Sequence, residues 1–545
     1  MKKLPLLSTL LIPFFITSDA FGQVSESWVA RYNGPDNKND QARLITTDAS
    51  GNVIVSGTSG SKKGGFGYIT TVKYSPGGIQ QFVARYSGPS NSGGDEYPYG
   101  LTVDNAGNVY VTGRSLGNGT GLDFVTIKYN SSLVEQWVAR YNSPANLNDE
   151  PGGVQVDAAG NVFVTGYSDL IGNGNGEAIV TIKYNSSGVQ QWTAQYDVLT
   201  NNGSNGSQEE GVSLALDQNG NVFVTGESGG LVTIKYNSSG QLMWSRNGNG
   251  SNGRKILIDS SGNVVVTSWG NDDRFVTIKY NSDGDLLWEA FYDGNPNGFD
   301  SAWDMALDAS DNIYVTGISS NALNNDYATV KYNSSGVQQW ASRFNDADNE
   351  RDHARAIAVD GNGNAYVTGM TGAKSGRNTT VYYGTVKYNS TNGDQEWVAL
   401  YKGPDNGGSD GFDVAVDASG NVYVTGQSAI KTNLDYATIK YSQGIGSKSI
   451  ITAPSPETTD KFQVKNYPNP FIQNTTIEYQ LPSEGKIRLT IYDLLGHEVA
   501  TLLNETKQAG IHFVNFSANK LSPGIYFYKM QFGKMVETRK LIVIK

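Results

Sequence analysis

An all-β fold is predicted for this chain of 545 residues by three observations. Glycine is abundant (65 residues), and aromatics reach 11% with 31 tyrosines, a composition suited to short strands joined by tight turns. One string, Asp104-Asn-Ala-Gly-Asn-Val-Tyr-Val-Thr-Gly113, returns almost unchanged along the chain, and apolar and polar residues alternate on either side of it.

The elements follow in order. Residues 1–22 read as a signal peptide: Lys2 and Lys3 precede an apolar stretch broken by Pro5 and Pro13, and Ala20-Phe21-Gly22 forms a small-residue exit. The first Asp of the recurring string then appears as Asp48, Asp104, Asp157, Asp217, Asp259, Asp308, Asp360 and Asp417, 42 to 60 residues apart. Each of these eight units has an apolar strand, a turn Asp-x-x-Gly-Asn, an alternating strand, and a third strand ending in Lys-Tyr. An Asn-Ser-Ser-type turn and a fourth strand with a large aromatic complete the unit. The Asp accepts from amides two residues on, and the Gly supplies positive φ; Asp311 stands in for it once. Asn-Ser-Ser fits the glycosylation pattern, but turn formation accounts for it.

Four antiparallel strands in about fifty residues predict a β-propeller blade. The recurrent aromatics Trp28, Phe82, Trp137, Trp192, Trp244, Trp288, Trp340 and Trp397 are expected to fill the wedges between blades. The phase predicts closure. A fourth strand, Ser27 to Tyr32, opens the chain, and a third strand ending at Tyr441 closes the array without a partner. Pairing these two would give eight blades and leave no open edge. The Asp-x-x-Gly-Asn-Val-Tyr-Val-Thr-Gly stretch resembles that of the bacterial seven-bladed β-propeller repeat family, over residues 24 to 445. The resemblance implies a propeller fold and brings no catalytic residues.

Residues 446–461 read as a linker rich in Ser, Pro and Thr, and residues 462–545 as a small Ig-like β-sandwich of about seven strands. Tyr467-Pro468-Asn469-Pro470-Phe471, Ile491-Tyr492-Asp493-Leu494-Leu495-Gly496, Gly524-Ile525-Tyr526-Phe527-Tyr528 and Thr538-Arg539-Lys540 resemble the motifs of a type IX secretion system type A C-terminal sorting domain. That resemblance implies the secretion machinery as a partner and a secreted or cell-surface location.

A net charge of −11 argues against nucleic-acid and anionic-membrane partners, and no later stretch is apolar enough to span a bilayer. Without cysteine there are no disulfides or thiolate sites, and His353 alone among the histidines lies in the repeats, which excludes histidine-rich metal centres. A monomer is expected.

The candidate sites are acidic. Asp40, Glu96, Asp149, Glu209, Asp300, Asp352 and Asp410 stand seven or eight positions before the turn Asp, and Asp123, Asp326 and Asp435 six before the third-strand Tyr. Propeller topology sends both sets to one end of the channel, where they are expected to ring a ligand-binding mouth. Asp346, Asp348, Glu350 and Asp352 form the densest cluster and the candidate calcium site, although Arg351 stands where a calcium loop favours Gly. No other cofactor is expected. The primary reading is a surface protein that binds a glycan, protein or matrix component; the alternative is a carbohydrate-active hydrolase or lyase using these acids.

Overall fold

The computed structural model describes residues 21–451 and 463–544, except 63, 90–94, 170–176, 198–212, 271–272, 296–297, 321–323, 347–349, 376–377, 405–406, 431–432 and 449 in the first range and 468–470, 472–473, 482, 484, 508–509, 519–520 and 534 in the second. Most of the expected signal peptide therefore lies outside the described residues, as do Glu209, Asp348 and Pro468 to Pro470. The described residues form strands and turns without a helix, and they divide into a unit ending at Ala453 and one beginning at Pro454.

The first unit contains eight antiparallel blades among its described residues, at 40–86, 97–141, 149–197, 213–247, 252–292, 300–344, 352–401 and 409–448. The last has three strands of its own, and Phe21–Tyr32 supplies the fourth by pairing with Asn433–Lys448, Trp28 opposite Lys440. Ile450–Ile451 adds a short parallel strand beside the fourth strand of blade 7. First strands of adjacent blades touch around the whole circle, blade 8 against blade 1 included, so they form the innermost ring. The predicted closure is present, and no blade in the ring lacks a neighbour.

Local chemistry sets each blade. Asp48 Oδ1 accepts from the amides of Ser50 and Asn52, and Gly51 takes φ 74° to close that turn. Asp311, in the glycine position of blade 6, adopts φ 58° and also receives the amide and hydroxyl of Ser260 in blade 5.

The blades are joined by a latch that recurs around the ring. Trp288 lies between blades 5 and 6, its ring centroid 6.3 Å from that of Tyr332, and its Nε1 donates to the Ser334 carbonyl of the next blade's Asn-Ser-Ser turn at 3.1 Å. Lys279 Nζ donates to the same carbonyl at 3.0 Å. Trp137, Trp192, Trp244 and Trp340 repeat the bond, and Trp28 makes it to Pro76 across the closure. The tryptophan face rests on the glycine that ends the next turn: a Cβ on Gly336, at φ 82°, would lie 2.6 Å from Trp288. Two joints depart from this. Where blade 7 meets blade 8, the strand Asn433–Lys448 runs on in place of the turn, and Trp397 Nε1 has no acceptor among the described residues. The other is the joint between blades 1 and 2. Leu133 replaces the glycine in blade 2, at φ 56°, and the preceding blade carries the smaller Phe82. The turn string thus serves two blades at once.

In the second unit, Gln463–Tyr467, Asn474–Leu481 and Gly510–Ser517 form one sheet, and Gly485–Tyr492, Glu498–Lys507, Gly524–Phe532 and Met535–Val543 the other. Both contribute to one core, around Ile477, Leu489, Ile491, Tyr528, Met530 and Leu541. Phe471 is buried there, bridges Val543 in parallel and accepts the Ile544 amide at 2.8 Å. Leu494 and Leu495 of the Asp493 turn stand exposed.

Candidate ligand face at the channel mouth

The predicted carboxylates are inside the protein. Asp40, Asp149, Asp300 and Asp352 have no exposed surface, and Glu96 is equally enclosed. Each fastens the loop entering its blade to the end of the second strand. Asp149 accepts from the Ser143 amide at 2.7 Å and from Ser168 Oγ at 2.5 Å, and Asp40 from the Gly34 and Gly60 amides and Ser59 Oγ. Glu96 takes the Gly88 amide and Ser115 hydroxyl, and Asp300 the Gly294 amide. Burial raises the pKa of all five, and pushes that of Asp352 up to about 7 even though the Asp346 and Gly372 amides hold it.

Asp410 does something else. In blade 8 Ser409 occupies the loop-fastening position, opposite Ser428, and its hydroxyl bonds that serine at 2.9 Å. Asp410 pairs with Gln427 on the opposite side of the strand, the position of Gln41 and Glu150 in other blades. Its spacing of seven rather than eight marks that flip, because side chains alternate along a strand. Burial raises its pKa, against the pull of Arg355 at 3.1 Å and of Arg43.

The second acidic set is also consumed. Asp123 and Asp326 meet Arg140 and Arg343 at 2.8 Å, and Asp435 lies 3.7 Å from Arg31; all three aspartates are buried. These arginines reach back to the second strand, as Arg140 does to the Ser115 hydroxyl and carbonyl. Of the calcium candidates, Asp352 is spent on the loop, Asp346 meets it through its amide, and Asp348 lies outside the described residues; no group of three metal-binding side chains occurs among the described residues. His353 is half-buried, its Nε2 3.1 Å from Asn325 Nδ2; burial, with help from Arg355 and Arg351, lowers its pKa.

What lines the mouth came from no recurrent motif. Seven of the first strands carry a bulge three residues after the loop-fastening position, which re-aims one side chain. The bulged residues are Arg43, Tyr99, Gly152, Arg254, Trp303, Arg355 and Phe412. Phe412 is sandwiched between the guanidinium groups of Arg43, 3.9 Å from its centroid, and Arg355, 4.3 Å away on the other neighbouring blade. Arg254 lies 4.9 Å above Trp303. The Tyr99 hydroxyl donates to Glu150 at 2.9 Å, and Arg114 pairs with both Glu150 and Asp95. Arg43 donates to Gln41 Oε1 at 2.8 Å and Arg355 pairs with Asp410, so the belt sets stacked, charged guanidinium groups beside apolar ring faces.

One residue further along the strands is a charged floor. Lys255 of blade 5 pairs with Asp304 of blade 6 at 3.2 Å, and Asp304 accepts the Ile357 amide of blade 7. Asp413 of blade 8 accepts the Ile45 amide of blade 1 at 2.8 Å. Burial, reinforced by Asp304, pushes the Asp413 carboxyl up to about 7, while Asp304 raises the pKa of Lys255.

Comparison with known proteins agrees with this architecture. Residues 81–119 and 339–375 match the β-propeller repeat, and residues 465–545 match the secretion system C-terminal sorting domain. The chain carries β-propeller repeats and a secretion-system sorting domain. The sorting domain directs export to the cell surface or beyond it through the type IX machinery. No helix among the described residues is long and apolar enough to cross a membrane. No curated protein matches the chain. Among solved structures it is similar to the Dos1 propeller, at 7% identity, a TM-score of 0.49, and coverage of 78% of this chain and 98% of that one. The WD40 propeller domain of Doa1 aligns at 9% identity and a TM-score of 0.39, over 77% and 98% of the two chains. A protein of unknown function from Bacteroides caccae aligns at 14% identity and a TM-score of 0.30, over 53% and 94%.

Proposed function

We propose that the chain is an exported, monomeric binding protein whose propeller, residues 24–445, recognises an extracellular glycan, protein or matrix component at the mouth of its channel, while residues 462–545, after a linker at 446–461, serve export. One observation carries the reading. The bulged column differs from blade to blade: beside Gly152 it holds three arginines and three aromatics, with Phe412 held between Arg43 and Arg355. Residues that repeat maintain the fold; residues that break the repeat are free to be selected for a ligand. The described acids of the hydrolase reading, such as Asp149 and Asp123, hold loops or arginines, which favours binding over hydrolysis.

The test is a glycan and matrix-protein array probed with the mature chain and with its Arg43→Ala/Arg355→Ala variant. The variant loses the Arg355–Asp410 pair and is expected to melt lower, but to lose the wild-type hits at a temperature where its circular dichroism still matches that of the wild type. Equal binding by the two proteins would refute the channel mouth as the recognition site.

A further inference from the structure

A second feature lies on the same face, at the seam where the ring closes. A cavity of about 640 Å³ opens between the loop entering blade 1, that blade's loop at 60–67, and Asn433 of blade 8. Its volume falls within the range of small-ligand sites, roughly 300 to 1,000 Å³. The polar side chains on its wall are mainly donors: Lys38 and Lys62, with the amides of Asn37, Asn39 and Asn433. No carboxylate lines it among the described residues, in a chain whose net charge is −11. Phe66 adds an apolar face.

The frame is held in place before any ligand arrives. Asn39 Oδ1 accepts the Leu434 amide of blade 8 at 3.1 Å, which fixes the orientation of its side-chain amide and leaves Nδ2 as an open donor among the described residues. The Asn39 carbonyl accepts the Gly60 amide, and Asn433 Nδ2 reaches Asn33 and Asp435. Lys38 is exposed and has no ion pair among the described residues. Lys62 lies 3.8 Å from Asp36 with 78% of its side chain exposed, a contact weak enough to be exchanged for a ligand.

We propose that this cavity binds an anionic saccharide unit: the lysines take its carboxylate or sulfate, the Asn37 and Asn39 side-chain amides its hydroxyl oxygens, and Phe66 a ring face. The proposal rests on the reading of the loop-bearing face as the binding face, and it names the ligand class. The mature chain is titrated calorimetrically with trigalacturonate, a sulfated heparin disaccharide and neutral maltotriose, at low and physiological salt. At least one anionic probe is expected to bind about tenfold more tightly than maltotriose and to weaken with salt; which of the two binds distinguishes carboxylate from sulfate. Lys38→Glu/Lys62→Glu should lower that affinity about tenfold or more at an unchanged melting temperature. Binding of neither anionic probe, equal binding of maltotriose, or indifference to the lysine variant overturns the cavity proposal. If Arg43→Ala/Arg355→Ala abolishes anion binding while the lysine variant does not, the cavity proposal falls and the channel mouth stands. The reverse pattern retains the cavity, and the channel mouth is then judged by the array comparison alone.

Discussion

The latch between blades predicts a specific non-additivity. Gly336→Leu places a side chain at φ 82°, where an L-residue costs about 1–2 kcal/mol, and drives its Cβ to 2.6 Å from Trp288. Overpacking of that kind adds about 1–3 kcal/mol, so the single substitution should cost about 3 kcal/mol. Trp288→Phe removes the 3.1 Å bond to Ser334 and some packing, for about 2 kcal/mol. The joint between blades 1 and 2 carries both changes, Phe82 in the tryptophan position and Leu133 in the glycine position. Combined at Trp288 and Gly336, they should therefore cost about 3 kcal/mol rather than 5, because the smaller ring removes the clash. Differential scanning calorimetry on the mature chain reads this. In a unit of this size 1 kcal/mol moves the transition by only about 1 °C, so replicate scans of all four proteins are required. A double variant whose loss equals the sum of the singles would refute the coupling.

Two further outcomes follow. The Asp413 carboxyl, raised to about 7 from 3.8, favours the folded state fully below about pH 4, and that contribution fades as pH rises through 7. Asp413→Asn keeps an acceptor for the Ile45 amide. It should match wild type at pH 4 and exceed it at pH 8, by about 4 kcal/mol at most; a gap that does not widen with pH in thermal melts would refute the assignment. Deleting residues 24–32 exposes the strand at 433–448 as an edge and should yield concentration-dependent association by light scattering with a lowered transition; a monomer melting like wild type would refute closure by that strand.

Much of the fold was legible because the same residues recur at fixed offsets: the Asp-Gly-Asn turn, the fourth-strand aromatics, and the orphan strand around Trp28. The acids were found for the same reason and misplaced for another. Recurrence locates a position along a strand but does not say which side is enclosed. A signal was present: a Ser or Thr follows each fastening acid by nineteen residues, as in Asp40 to Ser59 and Asp149 to Ser168. That offset identifies an internal bond, and the spacing of seven before Asp417 identifies Asp410 as turned the other way. The belt of Arg43, Arg254, Trp303, Arg355 and Phe412 escaped a search for repetition because it is the column that does not repeat. Reading the repeats for their disagreements would have found it.

The joints around the ring carry a consequence for how such a protein changes over generations. Most modules offer the same plug on one side and the same socket on the other, so among them a whole copy of fifty residues can be gained or lost without any seam meeting an unfamiliar partner. The count of modules is then set by how tightly the wedges fill the circle. The first two modules, with Phe82 in the plug position and Leu133 in the socket position, and the last two, where Trp397 meets no such turn, are keyed to one another, and a rearrangement that parted either pair would leave a plug in the wrong socket.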